Sequence, residues 1–151
     1  MLRAKLNDAL KDAMRAKDQR RVGTLRLVLA AIKDRDIASR QPDSRDGIGD
    51  TEILSLLQAM VRQRRESIAQ YEKGGRDDLV AQETEEIAII ESFLPQQMDQ
   101  AAIEAAAKEA VAELGATGIR DMGRVMAHLK TKFAGQMDFG KASGVVKSLL
   151  S

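Results

Sequence analysis

The sequence predicts an all-α fold in two helical units. Ala, Leu, Lys, Glu, Arg and Gln dominate it, and these are the residues that lose least on entering a helix. Only two of its 151 residues are proline, and β-branched runs are scarce. Apolar residues recur at three- and four-residue intervals along most of the chain, the period of a helix with one buried face.

Leu2, Leu6, Ala9, Leu10, Ala13 and Met14 set that period first, so a helix is expected from near the start to about Lys17. A second begins near Arg20. Its Val22, Leu25, Leu27, Val28, Leu29, Ala30, Ala31 and Ile32 are apolar on nearly all sides, the pattern of a central helix. Pro42, Gly47 and Gly49 predict a mobile loop between Gln41 and Gly49, with Asp50 as N-cap of the next helix. Ile53, Leu56, Leu57, Met60, Val61, Ile68 and Tyr71 carry the third helix to Gly74 and Gly75. A fourth, capped by Asp77 or Asp78, carries Leu79, Val80, Ile87, Ile90, Phe93 and Leu94 and stops at Pro95.

Beyond Pro95, Asp99 is the expected cap of an Ala-rich helix from Ala101 to Leu114, closed by Gly115. Two shorter helices fit Ile119–Phe133 and Asp138–Leu150, with Gly135 between them. The predicted organisation is thus a bundle of about four helices over residues 1–95 and a three-helix tail domain over 96–151. The tail is near the lower size limit for folding alone.

The net charge of +1 conceals an uneven distribution. Residues 1–40 carry +6, 41–76 carry 0, 77–100 carry −7 and 101–151 carry +2. Basic side chains gather on the second helix at Arg20, Arg21, Arg26, Lys33, Arg35 and Arg40. On and after the third they are Arg62, Arg64, Arg65, Lys73 and Arg76. Such patches attract phosphates by charge neutralisation. With Tyr71, Phe93, Phe133 and Phe139 the only aromatics, base stacking is not expected. The acidic fourth helix, with Glu83, Glu85, Glu86 and Glu91, is expected to pair with these basic neighbours in preference to holding a cation.

Catalytic chemistry has little to work with. Cysteine is absent, which removes disulfides, thiolate nucleophiles and Cys-ligated metals. His128 is the single histidine, so no cluster or Ser-His-Asp arrangement is available from spacing. Gly135 to Ala142 has the spacing of a phosphate-binding loop, but Ala142 stands where a magnesium-binding hydroxyl is required and no strand precedes it. No catalytic residue, metal site or cofactor is therefore expected. The charged, amphipathic N-terminus lacks the apolar run of a signal peptide or a membrane span, which leads to the expectation of a cytoplasmic protein that does not engage a membrane.

Ordered blocks carry a resemblance over almost the whole length. They are Thr24-Leu25-Arg26 with Ala31-Ile32-Lys33; Arg62-Gln63-Arg64-Arg65-Glu66-Ser67-Ile68; and Gly75-Arg76-Asp77-Asp78-Leu79 with Glu83 and Glu86. Phe93-Leu94-Pro95, Met122-Gly123-Arg124-Val125-Met126 and Val145-Val146-Lys147 follow. Together they resemble the GatB/YqeY family. The resemblance implies a helical bundle followed by a three-helix tail, and kinship with the C-terminal part of the B subunit of the tRNA-dependent amidotransferase. That subunit's tail is thought to contact tRNA, while a separate larger domain, missing here, performs the chemistry. In the last loop Gln136 replaces a usual basic residue and Phe139 a frequent glycine, which argues against a phosphate contact there.

The expected function is a non-catalytic module that binds tRNA or a tRNA-handling enzyme through Arg26, Lys33, Arg62, Arg65, Arg76, Gly123, Arg124 and Lys130. Its alternatives are an accessory subunit in glutamine-dependent amide transfer onto aminoacyl-tRNA and a helix-mediated protein-interaction module. No particular oligomeric state is implied.

Overall fold

The computed structural model describes residues 1–39 and 47–151. Among them it contains seven α-helices, one short 3₁₀ turn and no strand, which establishes the all-α class. The loop expected from Gln41 lies, up to residue 46, outside the described residues, as does Arg40. The helices fall into two compact units, Met1–Leu94 and Pro95–Ser151.

In the first unit, α1 spans Leu2–Arg15, α2 Gln19–Ala38, α3 Asp50–Lys73 and α4 Asp77–Glu91. The core is built from Leu6 of α1, Leu25, Val28 and Ile32 of α2, Ile53 and Leu57 of α3 and Ile90 of α4, all almost wholly buried. Burying one such side chain contributes about 1.5–3 kcal/mol relative to leaving it in water. Asp18 caps α2, its carboxylate accepting from the Arg21 N–H at 3.1 Å. Asp50 is not the cap of α3. Gly49 occupies that place, and Asp50, one residue inside, accepts instead from the Leu2 N–H at 3.2 Å. Arg76 likewise takes the cap position of α4 and leaves Asp77 and Asp78 in its first turn, where their charge still favours the helix dipole. The helix ends at Glu91, and Ser92 to Leu94 complete a turn before Pro95.

Arg3 and Asp36 tie three segments together. The guanidinium donates two hydrogen bonds to the Asp36 carboxylate, at 2.7 and 2.9 Å, and a third to the Ile48 carbonyl at 3.0 Å. Asp36 accepts the Ile48 N–H as well, at 2.9 Å. Its charge holds the Arg3 pKa above the ordinary value, chiefly through the side-chain hydrogen bond. A Cβ at Gly47 would overlap the Asp36 carboxylate and the Arg3 guanidinium, so a side chain there would push the pair aside.

The second unit holds α5 (Gln100–Leu114), a 3₁₀ turn (Ile119–Asp121), α6 (Met122–Lys132) and α7 (Phe139–Leu150). Asp99 caps α5 through the Ala102 N–H at 2.8 Å, and Gly115 closes it in the left-handed conformation, φ +61°. Ala106, Ala107 and Ala110 give α5 a small buried face that lets its neighbours approach closely around Ile103, Val125, Leu129 and Val146. Met137, in the link between α6 and α7, is fully buried in the same core. The backbone of this link is held by the strap before α5. The Met98 N–H donates to the Gln136 carbonyl at 2.8 Å and the Gln97 side chain to the Gly135 carbonyl at 2.6 Å.

Candidate functional site

Internal ion pairing decides which cations are available to a partner. Arg64 is drawn almost wholly into the α3–α4 interface, its Nε 3.1 Å from Glu86 and 3.8 Å from Glu83. Its Nη1 donates to the Met60 carbonyl at 3.3 Å. Arg20 meets Glu85 at 3.1 Å and Arg65 meets Glu91 at 2.7 Å. The acidic α4 is thus neutralised from within its own unit, and among the described residues no group of three acidic or histidine side chains is placed to hold a metal.

The eight residues predicted as a binding site divide accordingly. Arg65 is spent on Glu91. Arg76 forms an exposed pair with Asp78 at 3.1 Å, and their hydrogen bond raises the arginine pKa and lowers that of the carboxyl group. Arg124 lies 3.4 Å from Asp121, whose pKa is lowered first by hydrogen bonding from the Thr117 N–H. Arg26, Lys33, Arg62 and Lys130 are exposed and have no ion pair among the described residues.

Two of these groups share a helix face. Arg26 and Lys33 stand seven residues apart on α2, two turns along one edge. Gly123, Arg124 and Lys130 lie on one exposed face of α6 together with Ala127 and Thr131. From Arg120 to Lys132 there are four cations and a single acid, Asp121. Arg120 and Lys132, which the sequence reading did not single out, belong to this stretch; the scarcity of acids between them was the legible signal. Lys132 sits 5.6 Å from the Phe133 ring centroid. His128, half-buried, has its Nε2 3.3 Å from a Glu113 carboxylate oxygen of α5 and makes no hydrogen bond among the described residues.

The resemblance to a phosphate-binding loop ends at the backbone. Asp138 caps α7 and accepts from the N–H groups of Gly140 at 2.9 Å and Lys141 at 3.2 Å, two of the donors a phosphate would need. Ala142 is buried in the tail core. Replacing Asp138 with alanine is expected to cost about 1 kcal/mol, the usual worth of an N-cap. A shift of the urea midpoint with an unchanged m-value checks this.

Among the described residues no helix is long and apolar enough to cross a membrane.

A family model described as "Yqey-like protein" matches residues 3–150. Curated relatives include three proteins named "Altered inheritance of mitochondria protein 41, mitochondrial". The one from Kluyveromyces lactis is 36% identical over 108 residues, covering 72% of this chain and 53% of the relative. That from Eremothecium gossypii is 42% identical over 92 residues, with 60% and 48% covered, and that from Lachancea thermotolerans 37% identical over 93, with 62% and 48%. The chain spans about half the length of these relatives. Their names overturn the expectation of a cytoplasmic location: these relatives are mitochondrial proteins. The inference failed because the lack of an apolar run tells against a secretory signal or a membrane span and does not distinguish the cytoplasm from an organelle.

Proposed function

The chain belongs to the Yqey-like protein family, and from that premise we propose that it is a non-catalytic accessory module that binds tRNA through the exposed face of α6. The observation that carries the proposal is the four cations against one acid between Arg120 and Lys132, with Lys130 exposed and without an ion pair among the described residues. Gly123 adds close access, since a Cβ there would meet nothing within 4 Å and no neighbour in the fold demands its absence. The family's kinship with the amidotransferase tail supplies the choice of tRNA among nucleic acids. The module does no chemistry in this reading: its phosphate-loop lookalike is engaged with its own cap.

Binding of this kind is charge-driven, so it weakens as salt displaces the protein from phosphate. In a filter-binding titration, tRNA affinity is expected to fall steeply with salt. Lys130→Gln is expected to weaken binding at every salt and to reduce the slope of log K against log salt by about 1. Affinity that ignores salt, or none at low salt, would refute the proposal.

A further inference from the structure

α2 packs against α1, α3 and α4 and still leaves one face open to solvent. Gly23, Leu27, Ala30, Asp34 and Ile37 follow one another at intervals of four, three, four and three residues. That is the spacing of a seam made to receive another helix. Leu27 is 52% and Ile37 56% exposed, and both belong to this seam. At Gly23 a Cβ would meet nothing within 4 Å, so packing inside the chain does not account for it. Glycine in place of alanine weakens a helix interior. The notch it leaves is where a second backbone can come close.

Arg26 and Lys33 line one edge of the seam, each one residue before a seam position, and neither has an ion pair among the described residues. Charges in these flanking positions choose the partner of a helix pair. A second copy is a poor choice. Set antiparallel, it would place Arg26 beside the other copy's Lys33 on the same flank. Set parallel, each cation would face Ala31 or Ala38 of the other copy, with no counter-charge. Asp34 adds a polar position within the seam, which favours a partner with a donor opposite it.

We propose that this face docks an amphipathic helix of another protein, one with a small apolar seam and acidic residues along the flank that meets Arg26 and Lys33. The proposal is independent of RNA binding by α6 and uses none of the residues assigned to it.

Two synthetic helical peptides test it with the full chain by fluorescence anisotropy. Both carry a Leu/Ala seam; one has Glu at its flanking positions and the other Lys. The Glu peptide is expected to bind, more weakly as salt rises, and the Lys peptide not. The double variant R26E/K33E is expected to lose about tenfold affinity for the Glu peptide and to gain the Lys peptide. Both substitutions are on solvent-exposed positions, and unchanged circular dichroism shows that the variant is folded. Leu27→Ser is expected to weaken the Glu peptide without changing its salt dependence. Equal binding of the two peptides, no binding of either, or a preference that R26E/K33E leaves unchanged would overturn the proposal.

Discussion

Arg64→Ala is expected to be among the most damaging single changes in the first unit, with a loss of about 3–5 kcal/mol, the usual result of removing one partner from a buried ionic group. The side chain is only 12% exposed and serves two carboxylates and the Met60 carbonyl at once. Without it, Glu83 and Glu86 would face each other across a half-dry site with no counter-ion. The damage comes from the charges left behind, which gives a second expectation. Replacing Arg64, Glu83 and Glu86 together by apolar residues of similar volume should recover most of the loss. Urea denaturation of the single and triple variants separates this account from one in which the arginine is valued only for its packing.

The two glutamates are not equivalent. The Glu83 pKa is raised, first by burial and then by the charge of Glu86, against the opposing pull of Arg64. A carboxyl group with a raised folded-state pKa holds its proton more tightly folded than unfolded. Stability therefore falls as pH rises from the ordinary carboxylate value through the raised one. Glu83→Gln, which cannot ionise, is expected to flatten that part of the stability profile and to be slightly more stable than the parent at neutral pH. Glu86→Gln, which removes the charge 3.1 Å from Arg64, is expected instead to destabilise the unit.

Leu129→Ala is the corresponding prediction for the tail. Leu129 is fully buried, and truncating such a leucine costs about 2–5 kcal/mol through lost burial and the cavity left behind. A unit running only from Pro95 to Ser151 has little more than that to lose, since a core of this size supplies roughly 3–5 kcal/mol. The tail is expected to unfold. α5, α6 and α7 hold 15, 11 and 12 residues, so about a third of the helical circular dichroism should disappear. The two cores share no residue. The first unit is therefore expected to keep its cooperative transition, and loss of every helix together would show that the units stand or fall as one.

Period and punctuation made the fold legible. Asp99 and Gly115 bracket α5 as read, because a cap residue and a left-handed glycine act locally and need no knowledge of the rest. Asp50 misled for the same reason: a local rule places it as a cap, while the tertiary structure turns its carboxylate to Leu2 and leaves the cap to Gly49. The last loop was read from its glycines, yet its place in the core depends on Met137 and on hydrogen bonds from Gln97 and Met98, partners some 38 residues away that no window along the chain can reveal.

The candidate sites were legible as types of residue and not as free or occupied ones. Arg65 and Arg62 look alike in sequence, three residues apart on one helix. Glu91 of α4 takes the first and nothing among the described residues takes the second. Arg3 and Asp36, the best-formed exposed-edge pair in the bundle, drew no notice because they lie 33 residues apart. Charge counting finds patches; only packing shows which of their members are left for a partner.

The proposed RNA face is tested most directly by adding tRNA to isotopically labelled protein at low salt and following backbone amide shifts. The largest changes are expected on α6 at Gly123, Arg124, Ala127, Lys130 and Thr131, reversing as salt is raised. Shifts confined to the acidic α4, or none anywhere, would contradict it.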